Sequence, residues 1–361
     1  MKSWFSVIMI TTAIGLLCLA IGGFALLRGF NYFPSAKEAA ELVCDSKKAK
    51  PLSAKAGKLR ILSWNIQYSG SRKYKFFYDG GKAVSPAKKD VEATMAAIVK
   101  AVKKYNPDII LWQEIDRNSA RTHYVDQLKK FLADLSYPCW ASTPYHRSVY
   151  VPTPAHQHMR RVDMHLAVFS RYPIKRATRH ALPMLKESFI RRAFNLKRAV
   201  LEVEIPMAEG GSLILFDTHF SAFSYGDGTM AKQVNKLSSL MEAAEKAGNP
   251  WLASGDLNLL PPGFDPKKNL PKKEADYYPS PDKNPVQALY KKWTPALKVA
   301  DYNKSPKTYN TYVMYGEKNP DRWIDHTFVG SKTQVLQYKV LQEFIQISDH
   351  MPVLLDVKLK K

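Results

Sequence analysis

Two polar residues, Asp256 and Asn258, directly follow a short apolar run and have side chains suited to phosphate chemistry. The run, residues 250–253, is typical of a buried strand. Residues two apart in an extended chain point to the same side, so we expect this carboxylate and carboxamide to emerge together. The carboxylate can polarise a water molecule, and the amide can hold a phosphate oxygen. The same residue types also form ordinary turns, and this stretch alone favours a turn.

Four other apolar runs also end in polar side chains. These are Asn65, Glu114, His219 and the adjacent pair Asp349 and His350. One such residue is usually a solvated strand end, whereas five in one chain can converge on one mouth of the core. Together they offer carboxylates for a hard divalent cation, two imidazoles and two carboxamides. Phosphoester hydrolysis needs a cation to neutralise charge, a base to activate water and an acid for the leaving group.

The elements that must position these residues are predicted strands separated by predicted helices. Apolar runs predict strands near residues 59–66, 108–112, 166–169, 199–205, 212–216, 250–253, 322–329 and 353–357. Helical periodicity predicts helices near residues 85–106, 121–135 and 229–247. Residues 260–285 hold seven prolines and five lysines and predict a long irregular loop. We therefore predict one α/β or α+β domain with large mixed sheets, from residue 58 to residue 361.

The chain is strongly basic, with a formal net charge of +22 over 361 residues. The first 57 residues hold seven Lys/Arg and three Asp/Glu, so about +18 belongs to the predicted domain. Such an excess favours polyanions: nucleic acid, phosphorylated ligands or an anionic membrane surface. A surface that serves solubility alone is the alternative.

The N-terminus holds an uncharged apolar run of 23 residues, 5–27, between Lys2 and Arg28. A membrane-spanning helix needs about 20 residues, so we interpret residues 1–30 as a transmembrane anchor rather than a cleaved signal peptide. Long domains translocate with little regard to nearby charge, which favours a periplasmic or extracellular domain on the cell membrane. Residues 31–57 are predicted to be a linker.

Three cysteines, Cys18, Cys44 and Cys139, form neither a disulfide framework nor a zinc spacing. A bridge between Cys44 and Cys139 would require an oxidising compartment, and no sequence feature argues for it.

Six short motifs occur along the chain in a characteristic order: SWNI at 63–66, DIILWQE at 108–114, FDTH at 216–219, GDLN at 255–258, IDH at 324–326 and SDHMPV at 348–353. This ordered set, covering about residues 58 to 358, resembles the endonuclease/exonuclease/phosphatase superfamily. The resemblance implies the DNase I-like fold: an α/β (α+β) four-layer sandwich of two packed mixed β-sheets flanked by helices, with the site at one edge.

The resemblance also implies a metal site for Mg²⁺ or Mn²⁺. Glu114 corresponds to the principal metal ligand, with Asn65 beside it and Asp349 as an auxiliary ligand of metal or water. Nucleases of the family often carry an acidic residue two positions after the first Asn. Gln67 stands there in this chain, which argues against a second metal.

The catalytic roles implied by the resemblance fall on five residues. Asp256 corresponds to the group that orients or deprotonates the attacking water, and Asn258 to the one that holds the scissile phosphate. His219 would hydrogen-bond or protonate phosphate oxygens. His350 corresponds to a second catalytic imidazole, kept cationic by the carboxylate of Asp325.

Further charged residues remain outside this set. His326 replaces the aromatic residue that many members carry after the Ile-Asp pair, and we expect it to be structural. Arg117 and Arg121 are candidates for contact with substrate phosphates. The His-x-His at 156–158 has no supporting ligand spacing and is expected to be a solvated loop. The Lys-rich segment 267–273 either grips a polyanion or is simply solvated.

The sequence therefore predicts a monomeric, divalent-metal-dependent phosphoesterase that hydrolyses phosphodiesters, with DNA or RNA as the leading substrates. The fold does not choose among the members' substrates. The membrane run favours a lipid head group or a periplasmic scavenging role instead, so a lipid head-group or inositol-phosphate phosphoesterase is the alternative. A catalytically silent polyanion-binding module is the third hypothesis. Such modules usually lack a metal ligand or a catalytic His, and this chain keeps both.

Overall fold

Two seven-stranded mixed sheets, packed face to face with helices on their outer faces, form the domain in a computed structural model that describes residues 2–222, 224 and 226–360. The strands are β1 Lys37–Ala39, β2 Glu41–Cys44, β3 Leu59–Asn65, β4 Ile109–Asp116, β5 Cys139–Val151, β6 Arg160–Ser170, β7 Arg176–Ala181, β8 Ala199–Pro206, β9 Ser212–His219, β10 Trp251–Asp256, β11 Thr294–Pro295, β12 Asp325–Val329, β13 Thr333–Val340 and β14 Val353–Leu359. The helices are α1 Lys2–Phe30, α2 Lys88–Tyr105, α3 Gln127–Leu135, α4 Phe189–Phe194, α5 Thr229–Lys246, α6 Pro266–Asn269, α7 Lys272–Ala275, α8 Gln287–Lys292, α9 Val299–Lys304 and α10 Pro306–Tyr309. The predicted four-layer sandwich is confirmed.

The order of strands explains why the motifs meet. The first sheet runs β13-β14-β3-β4-β6-β5-β2 and the second β1-β7-β8-β9-β10-β12-β11. At the centre of the first sheet β3 and β4 are parallel, and at the centre of the second β9 and β10 are parallel. Because parallel strands end at the same edge of a sheet, the motifs after these four strands come to one edge of the sandwich.

The core has an inner layer between the sheets and two outer layers under the helices. Alternating side chains of both sheets, such as Leu111, Val168, Leu201 and Leu215, fill the space between the sheets. The opposite face of the first sheet packs on α2 and α3, and that of the second on α5 and α8. This double burial explains the nearly continuous apolar runs of the central strands.

The segment 31–57 is built into the sandwich, which differs from the linker that the sequence suggests. Strand β1 pairs antiparallel with β7 at the edge of the second sheet, and β2 pairs with β5 at the edge of the first. A disulfide joins Cys44 of β2 to Cys139 at the start of β5. The segment 31–57 therefore links the β7 edge of the second sheet to the β5 edge of the first.

The region 260–285 carries the short helices α6 and α7 within a long connection. The prediction of an irregular loop missed these single turns, whose lengths are four residues each. Among the described residues, α1 is the one helix long and apolar enough to cross a membrane, with a mean hydropathy of 2.3 over its apolar window. A signal sequence would pass the same test of length and composition.

Candidate active site

Backbone register places the polar residues of the second sheet side by side. Asp256, at the end of β10, pairs with His219 at the end of β9 and with Asp325 at the start of β12. Gly255 just before it has φ 148°, and a Cβ there would lie 1.9 Å from the carbonyl oxygen of Thr218. Glycine is therefore required for the close approach of β10 to β9 that brings Asp256 beside His219.

The first sheet supplies Asn65 and Glu114 from neighbouring strand ends. Asn65 ends β3 and pairs with Gln113 of β4. A β-bulge follows between Trp112 and Ile115, and Glu114 within it has φ 61°. A bulge turns a side chain away from the ordinary alternation of a strand. Here it aims the Glu114 carboxylate at the amide of Asn65, with Oε1 3.3 Å from Nδ2.

Asp256 is the centre of the site, and three other motifs contact one of its oxygens. Oδ2 accepts a hydrogen bond from Asn65 Nδ2 at 3.2 Å and lies 3.1 Å from His219 Nε2 and 3.4 Å from His350 Nε2. Oδ1 accepts the backbone N–H of Asn258 at 2.9 Å. Burial opposes ionisation, but the contacts with His219 and cationic His350, together with the backbone N–H of Asn258, outweigh it and hold the pKa of Asp256 well below its usual range.

His350 lies between two carboxylates. Its Nδ1 is 2.8 Å from Asp325 Oδ2, and its Nε2 faces Asp256. Ser348 Oγ accepts the backbone N–H of His350, and Trp64 Nε1 donates to its carbonyl. Burial lowers the pKa of the imidazole, but the two carboxylates raise it well above its ordinary value. The cationic form of His350 is therefore favoured at neutral pH.

His219 faces an arginine and a tyrosine that no sequence motif indicated. Tyr145 Oη lies 3.3 Å from His219 Nδ1, and the Arg198 guanidinium lies over the Tyr145 ring at 5.3 Å. Burial and the Arg198 charge lower the pKa of His219, so the neutral imidazole is favoured despite Asp256. Arg198 is buried, yet its Nη1 has no hydrogen-bond partner among the residues that the structure describes.

One wall of the site, formed by Glu114, Asp349 and Asp79, is acidic. Burial raises the pKa of Asp349 to about 7, and Glu114, Asp79 and Asp256 add to this. Burial likewise raises the pKa of Asp79 to about 6, together with the charges of Glu274 and Glu114. Carboxylates that repel one another in this way suit a hard divalent cation, which takes oxygen ligands.

A second group of carboxylates and imidazole is less suited to a cation. Ligand atoms of Asp256, Asp325 and His350 all lie within 4.8 Å of one another. However, both ring nitrogens of His350 already face carboxylate oxygens, and a cationic imidazole cannot be a metal ligand. The chemistry of the donors therefore favours the side of Glu114 and Asp349.

Asn258 connects the site to a cavity of about 400 Å³. It has φ 50°, and its Nδ2 donates to the carbonyl of Phe220 at 3.2 Å. The cavity is lined beyond Asn258 by Ser221, Ser224, Met230, Tyr277 and Lys283. A substrate whose phosphate lies at Asp256 has space here for the group attached to that phosphate.

The sequence profile of the Endonuclease/Exonuclease/phosphatase family matches residues 62–350, which include every residue of this site. The chain belongs to this family. Members of the endonuclease/exonuclease/phosphatase superfamily are phosphoester hydrolases. A comparison with curated proteins finds no match.

Solved structures of the family share the fold of this chain. An endonuclease/exonuclease/phosphatase from Beutenbergia cavernae superposes with TM-score 0.60 at 18% identity, covering 84% of this chain and 72% of that one. The catalytic domain of human nocturnin, with bound sulfate, gives 0.55 at 15%, covering 89% and 97%. A mannosyl-6-phosphatase from Bacteroides thetaiotaomicron gives 0.52 at 16%, covering 83% and 99%. At these identities the likeness concerns the fold alone.

The arginines after the second family motif are paired within the protein. Arg121 is buried and donates two hydrogen bonds to Asp116, at 2.8 and 3.0 Å. Arg117 is bonded to Glu41 of β2. In the His-x-His, His156 Nε2 contacts the carbonyl of Lys82, and His158 Nδ1 contacts Tyr150 Oη.

His326 has both ring nitrogens in internal hydrogen bonds, as expected for a structural residue. Nε2 lies 2.7 Å from the carbonyl of Leu259, and Nδ1 lies 2.8 Å from Tyr290 Oη. Burial lowers its pKa to about 4, so the folded protein resists protonation of this ring.

A His326→Gln variant is therefore expected to lose part of the acid sensitivity of folding. The unfolded chain binds this proton near pH 6.5 and the folded chain only near pH 4, so stability is lost as pH falls through that window. The contribution is about 3 kcal/mol. Denaturant unfolding of the full chain in detergent at pH 7 and pH 4.5 measures it. Equal pH dependence in both proteins would contradict a neutral, buried His326.

Proposed function

We propose that this protein hydrolyses phosphodiester bonds with the help of a divalent cation. The observation that carries the proposal is the convergence of Asn65, His219 and His350 on one oxygen of Asp256. A structural turn would not need a buried carboxylate with two imidazoles and an amide around it. A shared contact of this kind holds reacting groups in fixed positions, which supplies much of a rate enhancement.

In the proposed reaction, water attacks phosphorus in line with the leaving oxygen, and the P–O ester bond breaks. The low pKa of Asp256 keeps it ionised, so its main role is to orient the water and hold both imidazoles. Cationic His350 stabilises the charge that develops on the phosphate oxygens, and Asp325 positions it. Neutral His219 and the Asn258 amide hydrogen-bond to phosphate oxygens. Cationic His350 gives a proton to the leaving oxygen, and the proton lost by the attacking water replaces it through Asp256, so the products are a phosphate monoester and an alcohol.

Glu114, Asn65 and Asp349 are the residues that would hold Mg²⁺ or Mn²⁺. Their oxygen-rich set and the raised pKa of Asp349 fit a hard cation. Such a cation supplies charge neutralisation at the phosphate oxygens. Gln67 has a buried side chain whose Nε2 donates to Tyr78 Oη at 3.1 Å, so it adds no carboxylate for a second ion.

Two features bear on the substrate. Lys273 of α7 has its Nζ 3.2 Å from the position of a Cβ on Gly80, so α7 approaches the loop that carries Asp79. This lysine and the +18 domain favour a nucleic-acid backbone. The apolar helix α1 favours a lipid head-group phosphoester as the second candidate.

The test is hydrolysis by the full chain in detergent with Mg²⁺ or Mn²⁺. The substrates are plasmid DNA, RNA, a chromogenic phosphodiester, sphingomyelin and inositol phosphates. We expect turnover of the chromogenic diester and of at least one natural class. No turnover of any phosphoester with either metal would contradict the proposal and favour a silent binding module.

Residues 5–27 are proposed to anchor the protein in the cell membrane with the catalytic domain on the oxidising side. The Cys44–Cys139 disulfide supports this side, because such bonds persist in oxidising compartments. The full-length chain should stay in the membrane fraction after a carbonate wash, and a reporter fused after residue 361 should be active outside the cytoplasm. A soluble, N-terminally shortened product would show a signal peptide instead.

A further inference from the structure

The last turns of α1 lie against an exposed apolar and basic patch on the catalytic body. We define the α4 patch as Phe189, Ile190, Arg191 and Arg192. The ring of Phe24 in α1 stacks on Phe189 at 5.8 Å between centroids. Phe189 and Ile190 remain 44% and 65% exposed, although both are large apolar side chains. Exposed apolar groups placed together in this way usually mark an interaction surface.

The position of Phe24 along α1 determines how deep in a bilayer its contact with Phe189 would lie. Phe24 lies one turn before Arg28, which ends the uncharged run 5–27. A ring that stacks on Phe24 is therefore at the level of the last apolar turn of the helix. If α1 spans a bilayer, Phe189 must lie at the boundary between acyl chains and head groups.

The connection from α1 to the sandwich leaves little freedom to move away from this position. Asn31 forms a β-bridge to Ser148 of β5, and the N–H of Tyr32 donates to the carbonyl of Arg147 at 3.1 Å. Phe33 also approaches Phe189, at 6.3 Å. The chain thus passes from helix to body within three residues.

The charges around the patch match an anionic surface. Lys186, Arg191 and Arg192 are exposed. Two acidic residues lie near them: Glu187 accepts a hydrogen bond from Asn195 at 2.7 Å, and Asp227 accepts the backbone N–H of Lys186 at 3.4 Å, so the basic residues are still in excess. Aromatic and aliphatic side chains beside arginines are typical of segments that lie in a membrane interface. Arginines near such a surface are attracted by anionic lipids.

We propose that the α4 patch docks on the surface of an anionic bilayer and holds the catalytic body against the membrane in one orientation. The proposal rests on the anchor proposed above, and it adds a second membrane contact from the folded domain. The partner is the lipid surface itself, with Phe189 and Ile190 inserted and both arginines at the head groups.

The α4 patch is close to the side of the site that holds Tyr145 and Arg198. His146 Nε2 lies 2.9 Å from the carbonyl of Phe194, the last residue of α4. Lys197 follows, with its Nζ 5.7 Å from the Phe33 ring, and next to it Arg198 lies over the Tyr145 ring. Docking would therefore hold the Arg198 side of the site near the head groups, where phosphoesters on the membrane surface are presented.

Lipid quenching of single fluorescent labels tests the docking. The full chain is placed in nanodiscs of brominated, anionic phosphatidylglycerol. In a Cys18→Ser background, labels are attached at Ile190→Cys or at Leu336→Cys, an exposed position of β13 on the opposite edge of the first sheet. The remaining cysteines are joined in the disulfide. We expect the label at 190 to lose most of its fluorescence and the label at 336 to keep it.

The native Cys18 separates this proposal from the anchor, because it is free and lies within α1. Quenching of a label at Cys18 without quenching at 190 overturns the docking and leaves the anchor intact. No quenching at Cys18 overturns both. The double variant Arg191→Glu/Arg192→Glu should weaken quenching at 190 and leave that at Cys18 unchanged. Equal quenching at 190 with and without the arginines would contradict their role in docking.

Discussion

Replacement of Asp256 by Asn is expected to lower kcat by about 10²-fold or more, the scale of a positioned acid or base. The variant keeps the size of the side chain and an oxygen for the N–H of Asn258. It removes the charge that is proposed to orient water and that attracts cationic His350, and it weakens the hydrogen bond with His219. We therefore expect the rate of the folded protein to fall, and the melting temperature should fall as well, because the low pKa of Asp256 means that its charge also stabilises the fold.

Asp217→Asn is the matched control for this substitution. Asp217 is also a buried carboxyl at a sheet centre, two residues before His219, and its Oδ1 accepts from Gln113 Nε2 at 2.6 Å. Burial raises its pKa well above the usual range, so an amide resembles its neutral form. This control should keep its kcat. If Asp256→Asn lowers the melting temperature but keeps kcat, then Asp256 and Asn258 form only a structural turn.

Removal of the divalent cation is expected to have the largest effect of all, because EDTA should abolish turnover and Mg²⁺ or Mn²⁺ should restore it. Glu114→Gln keeps an oxygen near Asn65 Nδ2 and His219 but loses the charge that attracts a cation. The Mg²⁺ concentration for half-maximal rate should rise by about tenfold or more, the scale for a disturbed metal site.

Titration of the rate against Mg²⁺ measures this effect on the wild type and the Glu114→Gln variant. The Asp217→Asn protein again serves as control and should keep the wild-type midpoint. Full activity in EDTA would contradict a metal mechanism. An unchanged Mg²⁺ midpoint in Glu114→Gln would place the cation elsewhere, with the Asp256, Asp325 and His350 group as the remaining candidate.

Much of the site is visible in the sequence because each residue follows a long apolar strand. The parallel pairs β3–β4 and β9–β10 then bring those strand ends to one edge. His219 and Asp256 become direct neighbours in register, although 37 positions separate them in the chain. Strand hydrophobicity and the order of motifs were sufficient to predict this part.

Other parts could not be read from local patterns. Tyr145 contacts His219 from a strand that carries no motif, and Arg198, which precedes β8, lies over the Tyr145 ring. A basic residue before a strand is usually interpreted as a surface residue. The two strands of the segment 31–57 are three and four residues long and contain charged residues. Their pairing depends on free sheet edges formed by distant residues, which no short window contains.

Asp256 and His350 are proposed to act as one hydrolytic unit, and a double-mutant cycle tests this most directly. Hydrolysis of a chromogenic phosphodiester with saturating Mg²⁺ is measured for the wild type, Asp256→Asn, His350→Ala and the double variant. Groups that act in one transition state are non-additive when removed. We predict that each single variant loses about 10²-fold or more in kcat and that the double variant loses far less than the product. Losses that multiply, or single variants with unchanged kcat, would contradict the account.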